Sequence, residues 1–235
     1  MIKKWKNLEF LLPREKDQFI FKEILGSINQ YNILEIIPTL TKDDVVLDLG
    51  AHIGIFSLAL SSYVKKIIAV EPEKENFDIL LKNISLNNIS NITTINKALS
   101  EKEGEKTFLV SDLSPSRHSF YSNGFLNRFS YSAKKIKVLT TTLSELLKDI
   151  SYCKVLKMDI EGAEYETLLK APLDVLKKIK VFLVEYHELS KEKNLETIVQ
   201  FFTKIGFKVF HAENPAVSYN NGDLICGGIL IFNPE

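Results

Sequence analysis

Cysteine is scarce in this 235-residue sequence: Cys153 and Cys226 stand alone, outside any C-x-x-C pair and without histidine at zinc spacing. That removes the usual structural zinc pattern, and both thiols are read as buried, reduced packing residues. An excess of either charge is also missing. Thirty Lys+Arg balance thirty Asp+Glu, so a broadly basic nucleic-acid surface is not expected, although a local basic patch is compatible with neutrality. No apolar run approaches the roughly 20 residues that cross a bilayer. Residues 1–17 lack an uninterrupted apolar core and a small-residue cleavage site, so no signal peptide is expected and the cytoplasm is the default location. Repeats, low-complexity tracts and linkers are absent as well. What is present is average, 45% hydrophobic and 26% charged, as in one globular domain over 1–235 that buries roughly 70% of its unfolded surface.

Residues 1–43 carry apolar positions at roughly helical spacing and predict a helical extension of one or two helices ending at Pro38. A sheet core over 44–235 follows. Val45 to Leu49 is a short, almost wholly apolar strand stopping at Gly50, and Ile67 to Val70 is another stopping at Glu71-Pro72. Helical spacing over Ile55 to Tyr63 joins them. The alternation continues with helices at Glu73 to Leu86, Thr142 to Leu147, Glu164 to Leu169 and Lys191 to Ile205. The strands between and after them are Ile92 to Ile95, Lys154 to Met158, Val181 to Glu185, Phe207 to His211 and Ile225 to Phe232. This order predicts an α/β fold: one Rossmann-like, mostly parallel, seven-stranded sheet with helices on both faces. Residues 105–140 depart from it as a β-hairpin insertion, with strands at 106–110 and 136–139 around a long polar loop.

Ligands of open parallel sheets sit at the carboxyl ends of the strands, where strand order reverses. The first core strand ends Asp48-Leu49-Gly50-Ala51-His52-Ile53-Gly54. Gly50 and Gly54 allow close backbone approach to a ligand, and the next helix begins there. A dinucleotide fingerprint needs glycine at 50, 52 and 55, but His52 and Ile55 occupy the last two. Asp48 would also repel a pyrophosphate, whereas it suits an amino-acid ammonium or a water bound to it. Glu71, at the end of the second strand, is placed to accept hydrogen bonds from ribose hydroxyls. A nucleoside joined to an amino acid fits all four residues, and that ligand is S-adenosylmethionine.

The sequence then resembles class I S-adenosylmethionine-dependent methyltransferases, and more narrowly the FkbM family. The resemblance runs from about Val45 to His187, through VLDLGAHIGIFS at 46–57, AVEPEKENF at 69–77, LKNISLNN at 81–88, NKALS at 96–100, LKMDIEGAEYETL at 156–168 and VEYHE at 184–188. It implies methyl transfer, commonly to an oxygen of a sugar, polyketide or other small metabolite. It also implies a cofactor site of Asp48, Gly50, Ala51, His52, Gly54, Glu71, Pro72, Ala98 and Asp159. Residues 1–44 and those after 188 match no family motif.

Transfer from a sulfonium is an in-line displacement, served by alignment of acceptor, methyl and sulfur and by a base or a metal that activates the hydroxyl. Asp159 is expected nearest the methyl, with Glu161 second. Glu185 and His187 share one side of an extended segment and complete the candidate chemistry. If a divalent ion is used, Asp159, Glu185 and His187 are its expected ligands, but chemistry without a metal is the expectation. Glu164 reads equally as a helix-dipole carboxylate and as a catalytic one. Tyr165 reads as a helix-face residue, and His52 and His211 as packing or backbone-bonding side chains.

Ser114, Ser116, Arg117, His118, Ser119, Tyr121, Asn123 and Arg128 of the insertion, with Lys134, Lys135 and Lys137, form either a cover over the acceptor or a solvated hairpin. A loop from Ala212 to Gly222, with Tyr219, is expected at the same cleft. The leading expectation is an O-methyltransferase for a small hydroxylated metabolite or glycan sugar. An RNA methyltransferase, which needs a basic track with stacking aromatics, and a non-catalytic S-adenosylmethionine-binding protein are the alternatives; a nucleotide-dependent oxidoreductase is disfavoured by His52.

Overall fold

The structure, a computed structural model, describes residues 1–25, 33–111, 133–211, 218–220 and 223–234. Its first departure from expectation is at the N-terminus. β1 (Ile2–Trp5) and β2 (Leu8–Leu11) form an antiparallel hairpin, with Ile2 opposite Leu11 and Trp5 opposite Leu8. The period-two signal was present: Leu8, Phe10 and Leu12 alternate with polar or half-buried neighbours and are buried. Helical spacing resumes only at α1 (Glu15–Leu25), where the Asp17 carboxylate accepts the Arg14 backbone N–H at 2.9 Å and grips the Arg14 guanidinium at 2.8 Å. α2 (Ile33–Ile36) and a 3-10 turn containing Pro38 (Ile37–Thr39) complete the extension, so it is part strand and part helix.

The core sheet starts with β3 (Val45–Leu49), followed by α3 (Ile55–Ser61), β4 (Lys66–Val70), α4 (Lys74–Leu86) and β5 (Ile92–Ile95). Its strands are apolar almost throughout because both faces are covered. Along β3 the faces alternate: Val46 packs with α1, α3 and α4, whereas Leu47 and Leu49 enter the opposite core. Two asparagines of α4 hold the N-terminal hairpin by its backbone. Asn83 Oδ1 accepts the Leu11 N–H at 2.6 Å, and Asn87 bonds both the N–H and the carbonyl of Glu9 at 2.8 and 2.6 Å. The free edge of β2 is therefore paired at Glu9 and Leu11 by side chains of α4.

β6 (Ala98–Leu99), β7 (Gly104–Ser111) and β8 (Ala133–Thr141) make a separate three-stranded sheet, in which the expected insertion hairpin is longer than the sequence indicated. After it come α5 (Leu143–Leu146), β9 (Cys153–Met158), α6 (Glu164–Leu168), α7 (Leu173–Lys177), β10 (Ile179–His187), α8 (Leu195–Lys204), β11 (Lys208–His211), β12 (Ser218–Asn220) and β13 (Asp223–Phe232). The strand path is β11-β13-β10-β9-β3-β4-β5, with β12 paired to β13 beside it. β3, β4, β5, β9 and β10 run parallel, and β13 lies antiparallel to both β10 and β11. The ends of β4, β3, β9 and β10 thus meet along one sheet edge. Among the described residues no helix is long and apolar enough to cross a membrane.

Candidate active site

Two backbone N–H groups pin the turn after β3 to its neighbour: Gly50 and Ala51 both donate to the Val70 carbonyl at 2.9 Å. Gly50 has φ +77, and a Cβ there would lie 1.8 Å from the Asp159 carbonyl oxygen. Glycine is thus required by the approach of the β9 end, a packing reason additional to ligand access. Gly54 (φ +89) similarly leaves room for Leu80 of α4. His52 adopts the left-handed region at φ 51 and turns its backbone N–H onto Glu71 Oε2 at 2.8 Å.

Glu71 is consequently built into the turn. Its Oε1 accepts the Glu73 N–H at 2.9 Å and faces Asn76 Nδ2 at 3.5 Å, while Asn96 holds the carbonyls of Glu71 and Pro72 at 2.8 and 3.1 Å. Burial pushes the Glu71 carboxyl up to about 7, against these hydrogen bonds. Asn76 in turn accepts Arg14 Nη2 at 2.7 Å, which links the N-terminal extension to Glu71. Sequence reasoning missed Asn76 and Arg14, and the only signal available was their place beside the AVEPEKENF motif and before α1.

Asp48 is fully buried beneath the turn. Its Oδ2 accepts Ser57 Oγ at 2.6 Å, and its Oδ1 lies 3.6 Å from Lys157 Nζ. Lys157 donates to the Gly50 carbonyl at 2.7 Å and lies 3.8 Å from Asp159 Oδ2. Asp48 therefore reaches the glycine turn through a buried lysine and the first turn of α3 through Ser57. Burial raises its carboxyl, and Lys157 opposes that rise. Pro72 follows Glu71 at the β4 end, whereas Ala98 is buried in β6, paired with Thr140 of β8.

At the next two strand ends the chain gathers acids around one imidazole. Asp159 leaves β9, and Glu161 and Gly162 both have positive φ, 52 and 104. A non-glycine residue in that region carries roughly 1–3 kcal/mol of strain. The turn swings Glu161 back to His187 at the end of β10: His187 Nε2 lies 3.2 Å from Glu161 Oε2, and Nδ1 lies 3.1 Å from Glu164 Oε1. Glu164 is fully buried at the start of α6 and also accepts the Gly162 N–H at 3.0 Å. Its place is beside the histidine as well as in the first helical turn. Tyr165, expected as a helix-face residue, lies on the buried face of α6 and donates its hydroxyl to the His187 carbonyl at 2.8 Å.

Electrostatics follow from that crowding. Burial alone would lower the His187 pKa, but the Glu164 and Glu161 carboxylates outweigh it and hold the imidazole well above its ordinary value. Glu161 is raised, mainly by burial. Glu185 is pushed up to about 8 by burial and then by Asp159. One ligand atom each from Asp159, Glu161 and His187 lie within 4.8 Å of one another; Glu185 stands beside this trio as a fourth, electrostatically linked acid. Asp159 is the more open member, its side chain 27% exposed against 3% for His187.

The serines, arginines and aromatic residues expected to act from 114–128 lie outside the described residues, as do 212–217, 221–222 and the side chains of Tyr219, His211 and Cys226. Of the insertion's cations, Lys134, Lys135 and Lys137 are exposed on β8, Lys137 is 3.4 Å from Glu105, and Lys106 reaches Glu166 at 2.9 Å. Cys153 is buried with its thiol pushed up to about 12 by burial, as expected for a packing residue.

The strand path, the antiparallel β13 near one edge, the glycine turn and the acid after β4 together define a Rossmann-like methyltransferase. Solved structures agree on the fold. An rRNA methylase of Streptococcus thermophilus aligns at TM-score 0.51 and 10% identity, over 87% of this chain and 95% of that one. The SMU.1697c protein of Streptococcus mutans, in complex with SAH, aligns at 0.53 and 11%, over 86% and 94%. Methyltransferase sdnD of Sordaria araneosa is 28% identical over 187 residues, 68% of this chain and 70% of its own length. The chain belongs to the FkbM methyltransferase family, whose Methyltransferase FkbM domain matches residues 48–209, and is an S-adenosylmethionine-dependent enzyme.

Proposed function

We propose that the enzyme transfers the methyl group of S-adenosylmethionine to a hydroxyl oxygen of a small metabolite or glycan sugar. The observation that carries this reading is the cluster of Asp159, Glu161, Glu185 and His187 beside the glycine turn: carboxylates gathered around an imidazole where the methyl would be delivered. The turn from Gly50 to Gly54 receives the cofactor, with Ala51, His52 and Pro72 lining it and Ala98 as a further candidate contact. Glu71 accepts the ribose hydroxyls. Asp48 acts through Ser57 and Lys157 to hold the turn, and Asp159 faces the methyl and the acceptor.

The reaction forms one C–O bond and breaks one C–S bond, turning the sulfonium into a neutral thioether, and the hydroxyl proton passes to the acid cluster. A raised carboxyl such as Glu185 suits that task, because a general base works best with a pKa near the working pH. Alignment and exclusion of water supply the rest. Separating the two roles tests the reading. Glu71→Ala is expected to weaken cofactor affinity, and Asp159→Ala to reduce turnover more than affinity; equal affinity losses would contradict the division. Label transferred to RNA instead of a small hydroxylated acceptor, or cofactor binding without transfer to any acceptor, would replace the proposed substrate class.

A further inference from the structure

His187 is held in an arrangement that its role as a simple base does not require. Its Nδ1 meets the fully buried Glu164 carboxylate at 3.1 Å, and its carbonyl is fixed by Tyr165 at 2.8 Å. A neutral imidazole that donates from Nδ1 carries its lone pair on Nε2. Here Nε2 faces another electron-rich group, Glu161 Oε2, at 3.2 Å. Two such groups stay at that separation only with a cation between or beside them, either a proton or a metal ion. The same separation is that of neighbouring ligands on an octahedral ion with bonds of roughly 2.1–2.3 Å. Asp159 supplies a third ligand atom, all three falling within 4.8 Å.

Charge favours the metal. Glu161 interacts with Asp159, Glu164 and His187, Glu185 interacts with Asp159, Glu161 and His187, and Lys157, already shared with Asp48, opposes the charge on Glu185. Glu164 Oε2 is buried with no hydrogen-bond partner among the described residues, so its charge is offset chiefly through the imidazole. A fully buried carboxylate such as Glu164 is ordinarily paired or bound to metal, and three half-buried acids crowd the same imidazole. Glu164 also supplies the outer-sphere carboxylate that orients a metal-ligating histidine. Its backing makes the site more than a group of acids.

We propose that Asp159, Glu161 and His187 bind one divalent cation, with Glu164 positioning the histidine and Glu185 left outside the ligand set. Two carboxylates and one imidazole suit Mn²⁺ or a similar first-row ion better than the all-oxygen preference of Mg²⁺ or Ca²⁺. Three protein ligands leave positions for water and for an acceptor hydroxyl, which the ion would acidify. That last role rests on the O-methyl transfer reading above; the binding of the ion does not.

The test uses the full chain and Mn²⁺ alone, titrated by calorimetry and by loss of the free-ion EPR signal. One Mn²⁺ per chain is expected, weakened at least tenfold in Glu161→Gln and in His187→Gln, and 10–100-fold in Glu164→Gln, the range usual for an orienting partner. Glu161 is partly exposed, so its variant keeps the test open if the buried His187→Gln fails to fold; circular dichroism and unchanged cofactor affinity verify folding. No Mn²⁺ binding by the wild type, or equal binding in folded Glu161→Gln, overturns the site. Mn²⁺ binding lost on substitution without methyl transfer to a hydroxyl upholds the site and overturns the acceptor reading instead.

Discussion

Replacing Glu71 with glutamine should remove a pH dependence from the protein's stability and weaken its grip on the cofactor, both because a buried carboxylate becomes an amide. The carboxyl is buried and raised from an ordinary 4.5 to about 7, so the native state retains a proton that the unfolded chain has released between those values. Stability therefore falls as pH rises from 4.5 to 7 and is flat beyond. The gap between those two values corresponds to about 3 kcal/mol at pH 8. Glutamine cannot ionise, but its Nε2 must face the His52 or the Glu73 N–H, so Glu71→Gln should lose a constant amount of about 1–3 kcal/mol while its stability relative to the wild type rises by about 3 kcal/mol between pH 4.5 and pH 8. Urea unfolding across this range measures it, and subtracting the two profiles cancels the titration of His187, Glu161, Glu185 and Asp48. The amide offers one acceptor oxygen in place of two, and losing a charge-assisted bond to a ribose hydroxyl costs about 1.5–3 kcal/mol, or roughly 10–150-fold in affinity. Parallel pH profiles for the two proteins, or undiminished cofactor affinity, would refute the reasoning.

Other substitutions probe the supports of the site. Gly50→Ala forces a Cβ to within 1.8 Å of the Asp159 carbonyl at φ +77, and should cost roughly 2 kcal/mol or more in urea unfolding together with cofactor affinity. Lys157→Met leaves the Asp48 carboxylate buried without its cation and should cost about 3–5 kcal/mol, much of it restored by adding Asp48→Asn. Arg14→Ala strips the buried Asp17 of its guanidinium and Asn76 of its donor. About 3 kcal/mol of stability should go, with a measurable loss of cofactor affinity through Asn76 and Glu71.

Much of this was legible in the sequence because parallel strands covered on both faces are written as unbroken apolar runs, and because the residues at their ends are local in the chain. Val45 to Leu49 and Lys154 to Met158 needed no tertiary information to be recognised. The N-terminal hairpin was obscured because Leu8, Phe10 and Leu12 run directly into the helical spacing of α1, and a window spanning both averages two periods into one. Its stabilisation by Asn83 and Asn87 comes from more than 70 residues away and leaves no local trace. The candidate site divides in the same way. The residue types at 48, 71, 159, 161, 185 and 187 were visible, but the burial of Asp48 and its dependence on Lys157 were not, since they arise from adjacent strands joined by a crossover. Choosing Glu185 over Glu161 as the partner of His187 relied on strand alternation alone. The positive φ of Glu161, which no spacing rule announces, brings that side chain to the imidazole.

The central claim is methyl transfer to a hydroxyl oxygen at the ends of β9 and β10. The direct measurement supplies purified protein with methyl-labelled S-adenosylmethionine and hydroxylated small molecules, sugars and RNA, then identifies the labelled product by mass spectrometry. A labelled methyl ether on a small molecule or sugar, lost in Asp159→Ala, is the result expected. Label on a nucleobase, on nitrogen or carbon, or no transfer by a protein that binds the cofactor, would contradict it.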